Sequence, residues 1–317
     1  MPVAAFQLIL GIPLVKVFCL HRCFRLLFGR YPLVAVPLFI FLLLLSSPAW
    51  AAKVLIVGDI QYALVADVAS EIQSAVRSQV REYATAEVRG RLGAVVEREN
   101  AQVVVALGMD ALSEALRLPS SISVVYGLVI VPPRSGRSNL TGVYMSPPVS
   151  EYVSTIRRYL PGITRLTVLG SQDMIRSLYA GDSALVATYH VSNSSELVNA
   201  VSRITDSRAL LLLPDANLLT ARVMSSVYLH SFRENIPVLG ISETNVKQGS
   251  LFALVFEPKT VSRQIGEKVQ TILNGMEAGE IPASPPGRYN LFINVNTARK
   301  MGINIPGEML RKAKKVY

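Results

Sequence analysis

The sequence predicts an α/β protein built from two doubly wound halves, and three observations carry that prediction. Short apolar runs recur along the chain, each closed by glycine or a small polar residue. Segments with apolar residues at helical spacing alternate with those runs, the grammar of strands linked by crossover helices. The alternation occurs twice, on either side of a passage from Asn139 to Ser171 that reads strand, Ser-Pro-Pro turn, amphipathic helix, Pro-Gly stop and buried strand.

In the first half, Lys53 to Asp59 (KVLIVGD) is a continuous apolar run, as expected of a parallel strand covered on both faces. Leu64, Val68, Ile72 and Val76 mark one helical face between Tyr62 and Val80. A weaker β-rich run covers Tyr83 to Val88, a helix Arg91 to Glu99, and a buried strand Gln102 to Leu107. The helix from Asp110 to Leu116 starts directly after that strand, with Asp110 as its candidate cap. A strand from Ser123 to Val131 runs into Pro132-Pro133. In the central passage, Tyr152, Ile156 and Tyr159 or Leu160 define the buried side of the helix.

The second half repeats the pattern. Strands are expected at Arg165–Leu169, Leu185–Val191, Ala209–Leu213 and Val238–Ile241. Helices are expected at Asp173–Tyr179, at Ser194–Ile204 with Ser194 as cap, and from Leu218 to Arg233. The rhythm then changes. A strand from Leu251 to Phe256, a helix from Val261 to Leu273 capped by Gly275 and a Pro-rich loop from Ile281 to Gly287 follow. A strand Asn290–Val295 and a helix Asn296–Met301 come last, and these segments read as crossing back to complete the first half.

The 317 residues allow two domains of ordinary size. Half the residues are hydrophobic and mean hydropathy is +0.37, an excess concentrated in the first fifty residues. There a basic stretch (His21, Arg22, Arg25, Arg30) precedes an apolar run from Leu33 to Leu45, and Ala49-Trp50-Ala51 fits a signal-peptidase site. That run has 13 residues, short of the roughly 20 a membrane span needs. A cleaved secretory signal over residues 1–51 is the expectation, with an uncleaved anchor as the alternative. Without residues 1–51 the chain keeps 28 basic and 22 acidic residues, a net charge of +6 spread along its length. No basic stripe with interleaved aromatics appears, which argues against a nucleic-acid partner. Both cysteines, Cys19 and Cys23, fall in the leader, so the exported chain has no disulfide.

Exclusions narrow the chemistry. Only His190 and His230 remain beyond the leader, and with no cysteine a His/Cys metal site cannot be built. G-x-S-x-G, P-loop and G-x-G-x-x-G motifs are absent. No catalytic residue, metal or cofactor is assigned, and the chain is not expected to be an enzyme. What remains is a set of strand ends with small or polar residues: Gly58-Asp59, Gly108-Met109-Asp110, Tyr126-Gly127, Gly170-Ser171-Gln172, Pro214-Asp215-Ala216-Asn217 and Ser242-Glu243. Each alone suits ordinary turns and caps. Together they lie at the carboxyl edges of two sheets, where open α/β sheets bind ligands. A cleft between such edges suits a small polar or zwitterionic solute, with Tyr126 available to stack on its apolar part.

Four stretches carry a resemblance: Asn139-Leu140-Thr141-Gly142-Val143; Leu160-Pro161-Gly162 with the strand to Gly170; Leu213-Pro214-Asp215; and Ile236-Pro237-Val238 through Val246-Lys247-Gln248-Gly249-Ser250-Leu251. With the closing Asn294 to Ile303, their order resembles the substrate-binding proteins of ABC transporters with the type I periplasmic-binding-protein fold, some of which bind aromatic amino acids. The resemblance implies two Rossmann-like lobes joined by crossing strands and closing on a ligand by hinge motion. Lobe 1 is expected at 53–140 plus about 255–285, lobe 2 at 141–254 and a crossing segment at 286–317, with the first hinge crossing at Thr141-Gly142. Ligand-touching positions map onto Gly108, Met109, Asp110, Tyr126, Ser171, Asp215, Asn217 and Ser242, and the strand ends add Asp59, Gln172 and Glu243. The family usually has a hydroxyl residue then proline where this chain has Met109-Asp110, and Asp-Pro where it has Val131-Pro132-Pro133.

The expectation is a monomeric periplasmic solute-binding protein that serves an ABC permease and ATPase, an amino acid being one such solute. A ligand-binding module for an envelope sensor or other partner, and an exported enzyme, are the alternatives.

Overall fold

A computed structural model describes residues 53–181 and 183–317, so the expected leader, its cleavage site and Cys19 and Cys23 lie outside the described residues. The first sheet is formed by β1 (Lys53–Gly58), β2 (Val80–Tyr83), β3 (Ala101–Leu107), β4 (Ser123–Val129) and β5 (Leu140–Tyr144). All its pairings are parallel, in the order β2-β1-β3-β4-β5. Helices cover both of its faces, which is why Val54 to Val57 read as unbroken apolar sequence and are all buried. On one face α1 (Ala63–Ala75) packs beside a helix from far along the chain, α10 (Pro258–Leu273), through Val68, Ile72, Val261, Ile265 and Val269. On the other lie α2 (Thr85–Val88), α3 (Leu92–Glu99) and α4 (Met109–Ala115).

The chain leaves this sheet through α5 (Val149–Tyr159), whose buried residues Val149, Tyr152, Val153, Ile156 and Tyr159 form one helical stripe. The second sheet holds β6 (Leu166–Gly170), β7 (Val186–His190), β8 (Ala209–Leu212) and β9 (Val238–Leu239), parallel in the order β7-β6-β8-β9. Helix α6 (Gln172–Leu178) shares a face with α5, and α7 (Ser194–Arg203) and α8 (Ala221–Glu234) cover the opposite one. After α9 (Glu243–Gln248) a three-stranded sheet follows, made of β10 (Phe252–Phe256), β11 (Tyr289–Ile293) and β12 (Ala313–Val316). Strands β10 and β11 are antiparallel and β11 and β12 parallel, with α11 (Val295–Lys300) and α12 (Gly307–Lys312) between the last two. A parallel bridge from Gly240 to Ala253 joins this sheet to the end of β9, and a second, from Val143 to Ser284, lays the Pro-rich segment beside β5. Two α/β lobes with parallel sheets result.

Several local expectations are corrected. Tyr83 to Val88 is no single strand: β2 ends at Tyr83, and Glu87 accepts the Ala84 amide at the start of a one-turn helix. The expected helix to Val80 ends at Ala75. Asn193 caps α7 through the amide of Glu196, while the Ser194 hydroxyl donates to the carbonyls of Asn217 and Leu218. Asp110 stands in the first turn of α4 and makes no cap bond. Thr141 and Gly142 belong to β5, paired with Val125 and Tyr126, so the chain leaves the first sheet after Tyr144.

At the end of β4 the register with β5 slips: Tyr126 faces Gly142, but Val129 faces Tyr144. Leu128 takes φ +55°, a left-handed conformation unusual outside glycine, and supplies the extra residue of a bulge. The Tyr126 ring packs closely against Gly142. A Cβ there would stand 2.4 Å from both Tyr126 Cγ and the Tyr126 carbonyl oxygen. Because one of these atoms is backbone, Gly142→Ala cannot be relieved by a rotamer change. The substitution is expected to destabilise the protein by about 1–3 kcal/mol, read as a lower denaturation midpoint at unchanged slope. A midpoint equal to that of the parent would refute the packing account.

Candidate functional site

The carboxyl ends of β4, β8 and β9 meet around a pocket of about 300 Å³. Ile130, just past the bulge in β4, contributes from the first lobe. Pro214, Asp215 and Ala216 follow β8, and Ile241 and Ser242 follow β9. Leu212, Leu219, Met224 and Leu239 make its remaining lining largely apolar. Strand β6 lies between β7 and β8, and β1 between β2 and β3, so each sheet has a point where strand order reverses. Open α/β sheets bind ligands beside such points, outside the carboxyl ends.

The polar lining is specific. Asp215 Oδ1 accepts the backbone N–H of Asn217 at 3.0 Å, which shapes the turn after β8. Ser242 caps α9 by accepting the Asn245 amide, and Asn245 Oδ1 accepts the Ile241 amide, so the turn after β9 is held by side chains. Gly240 is required there, since a Cβ would sit 2.7 Å from that of Asn245. The Ser250 hydroxyl meets the phenol of Tyr228 at 3.0 Å.

Of the residues expected from sequence, Asp215 and Ser242 line this pocket. Asp59, Gly108, Met109 and Asp110 sit at the carboxyl ends of β1 and β3, along the same edge of the first sheet as Ile130. Ser171 occupies the N-cap of α6 without a side-chain cap bond, and Gln172 is its exposed first residue. Asn217 is exposed, its amide and carbonyl both engaged within the lobe. Two expectations are corrected. Tyr126 is buried against Gly142, and its ring is not presented for stacking on a solute. Its hydroxyl finds no protein partner among the described residues, and burial pushes the phenol well above its ordinary range. Glu243 points away from a solute role: it accepts from the phenol of Tyr317 and pairs with Lys247 at 3.2 Å and Lys315 at 3.4 Å. Both lysines also lie over the Tyr317 ring.

Side chains that the sequence reading missed complete the first lobe's edge. Large apolar residues are exposed at few places, and Ile60, Tyr62 and Ile130, with the expected Met109, all follow strands of the first sheet. Tyr62 is 60 % exposed and Met109 54 %, values that mark presentation to solvent rather than core packing. The available signal was an apolar residue directly after a strand, outside any helical stripe. Across the two edges, Arg134 from the loop after β4 reaches Asp173 in the first turn of α6, at 2.5 Å to the carboxylate. Arg137 is consumed elsewhere, donating to the carbonyls of Leu116 and Leu118 and to Asn139. Among the described residues no three His, Cys, Asp or Glu side chains gather as a metal site, and no helix is long and apolar enough to cross a membrane.

The Tyr317 phenol, first, and then the Lys247 ammonium hold the Glu243 carboxyl at about 2, below its ordinary 4.5. A depressed carboxyl stabilises the fold fully above its unfolded value and loses that contribution as pH falls toward the folded one. Glu243→Gln is therefore expected to lower the melting temperature at neutral pH, with the gap to the parent narrowing between pH about 4.5 and about 2. A gap that stays constant across this window would remove the charged contact from the account.

Comparison with known proteins agrees with this geometry. The family described as ABC transporter substrate binding protein matches residues 120–317. A "Tyrosine-binding protein" of Clostridioides difficile is 25 % identical over 111 residues, 35 % of this chain and 32 % of that one, so the match spans about a third of the relative's length. Among solved structures, a ligand-free, open substrate-binding protein with adhesive properties from Clostridium difficile superposes with TM-score 0.60 at 15 % identity, covering 84 % of this chain and 99 % of that one. An ABC domain in complex with L-Trp from Streptococcus pneumonia gives TM-score 0.52 at 17 % identity, covering 84 % and 100 %. The structural likenesses carry the fold: two lobes of the type I periplasmic-binding-protein kind. The family match extends over well more than half of the sequence, and the chain belongs to the ABC transporter substrate-binding protein family.

Proposed function

We propose that this protein is a periplasmic solute-binding protein that captures a small solute between the carboxyl edges of its two lobes and delivers it to an ABC permease and ATPase. The observation that carries the reading is the pocket formed by strand ends of both lobes, with Ile130 on one side and Asp215 and Ser242 on the other. Its volume, about 300 Å³, falls at the small end of ligand pockets and suits a molecule of amino-acid size. The solute combines an apolar body with a hydrogen-bonding head, since apolar side chains dominate the lining and a few fixed polar groups interrupt it. The tyrosine-binding relative and the L-Trp complex support a solute of that kind. A lone carboxylate with no acid–base partner in the same lining favours binding over catalysis. The predicted leader supports export, and a pocket built within one chain is compatible with monomeric action.

A thermal-shift screen of the purified protein against amino acids, amines, sugars and short acids tests this. A true solute raises the melting temperature with the logarithm of its concentration over Kd. Asp215→Asn, which keeps an acceptor for the Asn217 amide, should abolish that response with the apo melting temperature nearly unchanged. No response to any solute class would overturn the solute-binding reading.

Capture by hinge closure is part of the proposal, and the Arg134–Asp173 pair is then a contact that favours the approached lobes. Both partners are exposed, so the pair is worth about 0.2–1 kcal/mol. Arg134→Ala is expected to weaken solute affinity by about fivefold at most and to broaden interlobe distances in small-angle scattering. Recovery in the swapped pair Arg134→Asp with Asp173→Arg checks that the effect belongs to the contact.

A further inference from the structure

Two side-chain donors that the pocket leaves free beside Asp215 belong to one short turn of chain. Ser242 Oγ accepts the Asn245 amide and Asn245 Oδ1 accepts the Ile241 amide. The Ser242 hydroxyl hydrogen and the Asn245 side-chain N–H groups therefore remain available, and both residues line the pocket. Given the solute-binding reading on which this step rests, we infer that Tyr317 is a positioning residue of the pocket: its phenol holds Glu243, and through Glu243 the turn that presents those donors.

The turn needs fastening from outside. Helix α9, which it opens, has six residues, too few to hold its own shape in water. The far end of α9 is well anchored. Val246 is fully buried with Ala253 and Phe292, its carbonyl accepts the Asn294 side chain at 2.8 Å, and the Gly249 carbonyl accepts the Thr297 hydroxyl at 3.1 Å. The near end is fastened by three phenols from three separate parts of the chain. Tyr152 of α5 donates to the Gly240 carbonyl at 2.9 Å, and Tyr228 of α8 donates to the Asn245 carbonyl at 3.1 Å. Between them, Tyr317 donates to the Glu243 carboxylate.

Glu243 has two other partners, and neither can fix its position as the phenol does. Lys247, at 3.2 Å, lies on α9 itself and moves with it. Lys315, at 3.4 Å, is exposed and carries its ammonium on a flexible stem. The Tyr317 ring is rigid and starts from a fixed frame: its N–H donates to the Ile293 carbonyl at 2.9 Å and its carbonyl accepts the Val295 N–H at 2.8 Å. The ammonium groups of Lys247 and Lys315 lie over that ring, 5.6 and 5.0 Å from its centre. A residue 74 positions beyond Glu243 thus joins the third sheet to the turn that orients a solute.

Amide hydrogen exchange, followed by NMR on the purified protein, tests this without a solute. Tyr317→Phe keeps the ring beside the two lysines and removes the donor. It is expected to speed exchange of the Ile241 and Asn245 amides by about three- to tenfold, with the amides of Leu210 to Leu212 in β8 unchanged. Glu243→Ala should match it, and the double variant should be no worse than either alone. Glu243→Gln keeps an acceptor for the phenol while losing both lysine pairs, so it should melt below the parent yet exchange these two amides like the parent. In titration calorimetry with L-tyrosine and L-tryptophan as probes, affinity should follow exchange, falling by about three- to tenfold in Tyr317→Phe and Glu243→Ala and holding in Glu243→Gln. Parent-like exchange in Tyr317→Phe overturns the inference. So does a Glu243→Gln that behaves like Glu243→Ala, which would assign the effect to the lysine pairs. Faster exchange with probe affinity unchanged also overturns it, leaving Tyr317 a purely structural contact. Heat from neither probe in the parent counts against an amino-acid solute, and exchange at Ile241 and Asn245 then decides the positioning role alone.

Discussion

The phenol of Tyr152 holds together the parts of this molecule that most need holding. It is fully buried in the crossing helix and donates to the carbonyl of Gly240 at 2.9 Å, while its ring stacks on Phe252 at 6.1 Å. Gly240 also donates its own amide to the carbonyl of Phe252, which joins β9 to β10. One residue of the passage between lobes thus fixes the strand end that shapes the pocket floor and the sheet through which the chain returns. Burial raises the phenol above its ordinary range, which favours the protonated, donating hydroxyl. A buried carbonyl left without that donor would carry the full penalty of an unsatisfied polar group.

The pocket inherits its character from how its turns are built. Polar side chains after β8 and β9 are spent largely on their own backbone, as caps and turn bonds, and what they leave free is sparse and directional. The first lobe contributes the opposite: apolar side chains that no helix covers. A site of this kind separates tasks, with affinity drawn from apolar area and orientation from one carboxylate and a few hydroxyls. The Arg134–Asp173 pair stands apart from both, at the rim, where exposure limits its strength.

Much of the fold was legible in the sequence because its signals are local. Parallel strands covered on both faces read as apolar runs, and the stripe of Tyr152, Ile156 and Tyr159 announced a helix. The edges carrying Asp215 and Ser242 could be placed by the rule that ligands bind outside strand carboxyl ends. The misses share a cause: they depend on a partner remote in sequence. Tyr126 reads as a strand-end aromatic, and only the approach of Gly142 shows that its ring turns inward. Glu243 reads as a cleft carboxylate until Tyr317, 74 residues on, claims it. The helices Glu243–Gln248 and Gly307–Lys312 are too short for a periodic pattern. Ile60, Tyr62 and Ile130 look like ordinary core residues, since sequence alone cannot show that nothing packs over them.

The bulge at Leu128 bears on how such a pocket can change over evolutionary time. Side chains alternate faces along a strand, so one extra residue inverts the parity of everything beyond it. With Leu128 inserted, Val129 is buried and Ile130 is turned out to line the pocket. A one-codon deletion at this position would reverse that assignment at a stroke, withdrawing Ile130 and offering its neighbour instead. Length variation at the end of β4 is accordingly a genetic route to a reshaped pocket, available without substituting any residue of its lining.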